Sequence, residues 1–285
     1  MIIRDFWFVY RNILTEEFSK KNYLSFLRKI FGLFYKIILK ILRHKFSINT
    51  DNLDKKNKKD FTNLNLNQLF IDFNCDKGSH CFFDKKKILS HNYSVFYEKY
   101  FKNLKNNRMN ILELGSHEGK GIASFYFYFS NAGLIGANIN PFQMKYSSKR
   151  ISELFVDVSS ERSLNSLYNY LTIDLEIIID DASHNIKDIL ITLSIFFKKL
   201  KSGGCYVIED LDQFKALPEL NPYNDELTPL EILKKIKNNQ NFKSSFIDEV
   251  SKKYLIENIK EIKIEKGSME INEKNVSDIA FVFKK

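Results

Sequence analysis

The sequence holds only four prolines, three cysteines, ten glycines and a single tryptophan in 285 residues. So little glycine and proline excludes collagen-like and low-complexity chains. Cys75, Cys81 and Cys205 are too few for a disulfide framework. No apolar leader with a small-residue cleavage site opens the sequence, so a reducing, cytoplasmic compartment is expected. Arginine is scarce as well: Arg4, Arg11, Arg28, Arg43, Arg108, Arg150 and Arg162 are the seven among 44 basic residues. Recognition of base edges and phosphates favours arginine, so the formal net charge of +9 is not read as a nucleic-acid signal. Its distribution agrees. Residues 1–60 carry 14 Lys and Arg against 6 Asp and Glu, a net +8, which leaves +1 for the other 225 residues. With 44% hydrophobic and 28% charged residues, what remains is a chain able to bury a core.

The basic excess coincides with an apolar stretch. Over residues 23–46, Leu24, Leu27, Phe31, Phe34, Ile38, Ile41 and Leu42 recur at helical spacing, with Lys29, Lys36, Lys40 and Arg43 on the other face. The spacing predicts an amphipathic helix. Lys36 and Lys40 interrupt the roughly 20 apolar residues that a bilayer crossing needs. Two readings stay open: a helix packed on the body of the protein or on a second copy, and a helix lying on an anionic membrane surface. Residues 47–66 are polar, rich in Asn and Lys, and read as a linker or mobile loop. A helix with an aromatic face is expected within residues 91–101 (HNYSVFYEKYF).

From Asn110 onward, short apolar runs alternate with helical patterns. Residues 111–113, 133–137, 153–156, 175–179 and 205–208 read as strands, with helices centred near 125, 147, 165 and 192. This alternation implies βαβ units and a parallel sheet with helices on both faces. Residues 261–267 and 278–285 add two strand candidates, a plausible antiparallel closing pair.

The first strand ends in ELGSHEGKG, residues 113–121. Glycine there lets the backbone turn sharply and approach a ligand, at the strand end where open α/β sheets bind cofactors. His117 stands where a dinucleotide fingerprint needs glycine. Further on, EIIIDDASHNIKD (176–188) delivers Asp180 and Asp181 to a strand end, with His184 close behind. LKSGGCYVIEDLD (200–212) delivers Glu209 and Asp210 to the same edge. Four carboxylates packed together repel one another, and a divalent cation such as Mg²⁺ is a common remedy. Cys75, His80 and Cys81 lack the spacing of a structural zinc site.

These segments carry a resemblance. The spacing of Glu113, Gly115 and Gly119 is similar to motif I of class I S-adenosylmethionine-dependent methyltransferases. ELGSHEG, DDASH and GGCYVIEDL, with DKG and HNYSVFYEKYF upstream, together resemble the metal-dependent sugar O-methyltransferases of the mycinamicin (macrolide) and surface-polysaccharide type, over about residues 74–212. The resemblance implies an α/β, Rossmann-like fold with a seven-stranded, mostly parallel sheet. Residues 1–60 would form a helical extension and linker, 61–108 a cap and 109–285 the S-adenosylmethionine-binding domain. It implies cofactor contacts at Glu113, Gly115, Ser116, Gly119, Asn138, Asp157 and Asp180, with Asn138 where the family has an acidic residue for the ribose hydroxyls. It implies Mg²⁺ at Asp181, Glu209 and Asp210, His184 as general base, and His91 and Tyr93 beside the substrate. The expected activity is methylation of a sugar hydroxyl on a glycan, nucleotide-sugar or glycosylated metabolite, with a homo-oligomer and a peripheral membrane contact through residues 23–46 as further expectations. The rival readings are a non-catalytic scaffold and another metal-dependent enzyme on the same sheet, such as a hydroxylase.

Overall fold

A computed structural model describes residues 2–19, 31, 50–57, 60, 61, 63–223 and 225–285. Before the main sheet come the helix α1 (Ile2–Ser19), the helix α2 (Leu66–Asp72), a hairpin of β1 (His80–Phe83) and β2 (Lys86–Leu89), and the helix α3 (Ser94–Phe101). The parallel strands follow: β3 (Asn110–Leu114), β4 (Gly133–Asn138), β5 (Ile151–Phe155), β6 (Leu175–Asp180) and β7 (Leu200–Ile208). Helices α4 (Lys120–Tyr128), α5 (Glu161–Tyr170) and α6 (Ile186–Phe196) alternate with them. After β7 come α7 (Pro229–Lys237), α8 (Glu249–Asn258), β8 (Ile259–Lys266) and β9 (Asp278–Lys284).

The sheet order is β8-β9-β7-β6-β3-β4-β5. β9 runs antiparallel to both β7 and β8, as the closing pair was expected to, and inserts between them. Where both faces are covered the central strands are apolar, as at Ile177–Ile179 of β6 and Cys205–Ile208 of β7. Side chains alternate between two cores. Leu112, Ile178, Tyr206 and Val282 face α1, α5, α6, α7 and α8, whereas Ile111, Ile177, Val207 and Phe281 face α2, α3 and α4. Local chemistry sets the helix starts. Asn65 with Gln68, and Thr228 with Glu231, form capping boxes, and Pro229 opens the first turn of α7.

Three expectations need correction or fall elsewhere. No helix forms near 147: Pro141–Gln143 makes one 3₁₀ turn, and Tyr146–Ser147 is extended, pairing in parallel with Asp51–Asn52. Within the segment read as a linker, Leu53 is fully buried and Asp54 accepts hydrogen bonds from Tyr126, Ser148 and Lys149. Leu66 is fully buried too, and Phe61 and Leu64 pack against the same core, but anchors spaced so irregularly do not show as periodicity. The amphipathic helix expected over residues 23–46 lies, apart from Phe31, outside the described residues. Among the described residues no helix is long and apolar enough to cross a membrane.

α1 lies against β5 and α5. Phe8, Val9 and Ile13 are buried in the core, and the Phe8 ring meets Tyr170 at 4.1 Å between centroids. Phe8→Ala should therefore cost about 3 kcal/mol, the usual loss for a buried aromatic. The urea unfolding midpoint should fall accordingly, and an unchanged midpoint would mean that α1 does not belong to the core.

Candidate active site

β3 has β4 on one side and β6 on the other, so the chain reverses direction across the sheet at this point. Open α/β sheets form a crevice at the carboxyl ends of such strands. Here the crevice is a cleft of about 460 Å³ lined by Gly115, His117, Asn138, Ile139, Asp157, Ser159, Asp181, Ala182, Ser183 and Asp188, among others. Gly115 has φ 87°, and a Cβ at this position would lie 1.9 Å from the Asp181 carbonyl oxygen. No other residue fits both that conformation and that approach.

On the α3 side of the same edge stands a lysine that the strand pattern does not contain. Lys77 is 2% exposed. Its ammonium donates to Asp181 Oδ2 and, at 2.6 Å, to Glu209 Oε2, and lies 3.5 Å from Glu113 Oε1. The loop around it is fixed from several directions. The Lys77 carbonyl accepts from Ser94 N–H at the start of α3, and the Gly78 carbonyl accepts from Asn92 N–H. Burial alone would lower the Lys77 pKa, but the carboxylates of Asp181, Glu209 and Glu113 hold it well above the usual lysine value. Burial pushes Glu113 up to about 7, against the pull of Lys77.

The second anchor is Asp210. His91 Nδ1 lies 3.0 Å from Asp210 Oδ1, and the Tyr93 hydroxyl donates to the same oxygen. Burial would raise the Asp210 pKa, but the His91 hydrogen bond and charge, helped by His184 and Tyr93, outweigh it and lower it. Tyr97, one helical turn after Tyr93, donates its hydroxyl to Glu209. His184 completes the corner, its Nε2 3.8 Å from Asp181 Oδ1 and 3.9 Å from Asp210 Oδ2. Asp181, His184 and Asp210 each offer one ligand atom within 4.8 Å of the others. His117, His184 and Asp210 all take left-handed backbone conformations, with φ 42°, 54° and 53°. Such conformations cluster where a site over-determines its backbone.

The residues singled out by sequence thus divide. Gly115, Asn138, Asp157 and Asp181 line the cleft. The Asn138 side-chain Oδ1 accepts from Ile139 N–H, and Asp157 accepts from the Ser159 N–H and hydroxyl. Ser116 and Gly119 form the turn behind the cleft, joined by a 2.7 Å bond from Gly119 N–H to the Ser116 carbonyl. Glu113 faces Lys77 and not the cleft. Asp180 faces the other side of the sheet, where its Oδ2 accepts from Tyr206 at 3.0 Å. Glu209 lies outside the Asp181–His184–Asp210 group, its oxygens taken by Lys77 and Tyr97. His91 and Tyr93 both meet Asp210. The residues that sequence reasoning gave no role are Lys77 and Tyr97. Tyr97 was legible as the i+4 partner of Tyr93, whereas Lys77 carried only its place in DKGSH.

Lys77→Met keeps the side-chain length and removes the charge, leaving the buried carboxylates of Glu113 and Glu209 and the half-buried one of Asp181 without their cation. Loss of one partner from such a group costs about 3 to 5 kcal/mol, to be read as a fall in the thermal midpoint; no fall would show that Lys77 does not hold the carboxylates. A second expectation concerns Asp180, whose pKa burial raises from 3.8 to about 7 despite the bond from Tyr206. Between those values the folded protein keeps a proton that the unfolded chain has released, so the stability contributed by this group is complete below pH 4 and is lost as pH rises to 7. Asp180→Asn should remove that loss, a few kcal/mol in size, so that urea midpoints with chelator present show the variant gaining on the parent from pH 4.5 to pH 8. Parallel profiles would refute the shift.

No protein-family model matches the chain. It is similar to the 8-demethyl-8-alpha-L-rhamnosyl tetracenomycin-C 2'-O-methyltransferase of Streptomyces olivaceus, with 27% identity over 128 residues, 42% of this chain and 33% of that protein. It is also similar to the MycE methyltransferase of the mycinamycin biosynthetic pathway, solved with Mg and SAH, with a TM-score of 0.56 and 20% identity over 78% of this chain and 55% of that one. Against the same enzyme with Mg, SAH and mycinamycin VI the TM-score is 0.57, again with 20% identity, over 78% of this chain and 54% of that one. The chain therefore spans between a third and about half of the length of these relatives. With its strand order and antiparallel closing pair, this likeness establishes that the chain has the class I methyltransferase fold.

Proposed function

We propose that the protein transfers a methyl group from S-adenosylmethionine to a sugar hydroxyl, with the help of a divalent cation such as Mg²⁺. One observation carries the reading: Asp181 belongs both to the cleft beside the glycine turn and to the corner it shares with His184 and Asp210. A cofactor in the cleft and an acceptor at the corner would therefore meet across one residue. The relatives supply the chemistry by analogy, since one is named for 2'-O-methylation of a rhamnosyl compound and the other holds Mg and SAH.

The residues fit both groups. The cleft has a glycine for close backbone approach, Asn138 at the end of β4 for the ribose hydroxyls and Asp157 after β5 for the adenine side. The corner offers hard carboxylate oxygens that suit Mg²⁺ or a similar ion. Asp181 and Asp210 would hold it, with Glu209 adding negative charge behind Lys77. When bound, S-adenosylmethionine supplies an electrophilic methyl group, and the cation makes a sugar hydroxyl more acidic. The chain's own residues do the rest. His184 accepts the hydroxyl proton at Nε2 as the oxygen takes the methyl group, a transfer suited to an imidazole near neutral pH. Asp181 and Asp210 flank the imidazole and stabilise the charge it gains. His91 and Tyr93 hold Asp210 in place, and Lys77 holds Asp181.

The test combines calorimetry and turnover. S-adenosylhomocysteine should bind the purified chain, and His184→Ala should leave that binding and Mg²⁺ binding unchanged while lowering turnover of a sugar acceptor by a factor of about 10² or more. Loss of Mg²⁺ binding in His184→Ala would make the imidazole a ligand and not the base. Failure of the parent protein to bind S-adenosylhomocysteine, with or without Mg²⁺, would favour the non-catalytic scaffold.

A further inference from the structure

Residues 82–89 are eight consecutive exposed residues, and four of them are large and apolar: Phe82 (44% exposed), Phe83 (69%), Ile88 (42%) and Leu89 (76%). The other large apolar residues exposed among those described are scattered singly. The cause lies in the hairpin of β1 and β2. In its register Phe83 lies opposite Lys86 and Phe82 opposite Lys87, with Cys81 opposite Ile88 and His80 opposite Leu89. Directly opposed side chains share a face. Phe83, Lys86 and Ile88 therefore stand on one face and Phe82, Lys87 and Leu89 on the other, so each face sets apolar groups beside a lysine.

An ordinary two-stranded ribbon buries one face against the protein. This one leaves both in water, yet it is firmly built. Asn74 clamps Phe82 by accepting from its N–H at 2.6 Å and donating to its carbonyl at 2.9 Å. Asp84 and Lys85 close the turn with φ 46° and 65°, both in the left-handed region that tight two-residue hairpin turns require. Lys85, Lys86 and Lys87 face a single acid, Asp84, giving the tip a net charge of +2. Such a tip repels a second copy of itself. Its complement must be apolar and negatively charged at once, and an anionic lipid surface is both.

We propose that this hairpin docks the protein tip-first on an anionic membrane, with Phe82 and Phe83, one from each face beside the turn, entering the boundary between headgroups and acyl chains and the three lysines meeting lipid phosphates. The base of the hairpin is tied to the site by bonds from His91 N–H to the Asp76 carbonyl (3.0 Å) and from Asn92 N–H to the Gly78 carbonyl (2.8 Å). A four-residue strand spans about 13 Å, so docking holds the Asp210 corner close to the lipid surface, where a membrane-borne acceptor would be in reach. The docking argument itself does not depend on the reaction assigned to the site.

Co-sedimentation of the full chain with vesicles tests it. The protein should pellet with vesicles of equal parts phosphatidylcholine and phosphatidylglycerol and not with phosphatidylcholine alone. Phe82→Asp with Phe83→Asp should weaken partitioning at least about tenfold. Lys85→Glu, Lys86→Glu and Lys87→Glu together should do the same while leaving the thermal midpoint unchanged, which keeps the test decisive if the apolar pair disturbs folding. Three results would overturn the proposal: no binding by the parent protein, binding abolished by Lys36→Glu with Lys40→Glu but untouched by the hairpin variants, or a hairpin-dependent dimer in sedimentation with no vesicle binding.

Discussion

The ammonium of Lys77 is the contact on which the carboxyl edge of the sheet depends. Parallel strands all end on one side, so Glu113 from β3, Asp181 after β6, and Glu209 and Asp210 after β7 are brought together by topology alone. Their mutual repulsion would open the edge. Lys77 meets three of them, and His91 and Tyr93 take the fourth. Both sets of counter-groups come from one stretch ahead of the sheet, residues 77–93, so the segment that neutralises the edge also walls the site. Buried ion clusters of this kind are poor sources of net stability. Their value here is placement: the ammonium draws Asp181 and Glu209 to one point and leaves Asp210 to face His184.

Much of the sheet was legible because β6 carries the run Ile177–Ile179 and β3 and β7 carry short apolar stretches, a pattern that a doubly covered sheet explains. The site was legible as a neighbourhood, since successive strands delivered carboxylates to one edge. What reading by motif missed is the pleat. Asp180 and Asp181 look like a unit in sequence, yet successive side chains point to opposite faces. Asp180 therefore joins Tyr206 on the face toward α5 and α6, while Asp181 joins Lys77. Period-two counting from Ile178 and Ile179 contains that answer.

Other features left no such trace. Lys77 sits in DKGSH, a polar run that reads as solvated loop, and its partner Asp181 is 104 positions away. Leu53 is one apolar residue in a lysine-rich stretch, yet it is fully buried. α1 reaches the core through Phe8, Val9 and Ile13 only because β5 and α5 offer a surface for it. In each case long-range packing decides the outcome, and local composition carries no record of it.

The absence of a side chain at Gly115 has a further effect. It lets the Asp181–Ala182 peptide lie against the floor of the cleft, next to the preceding peptide, whose Asp181 N–H donates to the Leu114 carbonyl at 3.0 Å. The wall of one compartment is thus the backbone of the residue whose carboxylate faces the other. Any occupant of the cleft that shifts this peptide by a fraction of an ångström alters the spacing at the corner. Thermodynamic reciprocity then requires an occupant of the corner to change affinity in the cleft by the same factor. The backbone of Asp181 is therefore shared by the two compartments, and whatever coupling it carries is the same whichever of them fills first.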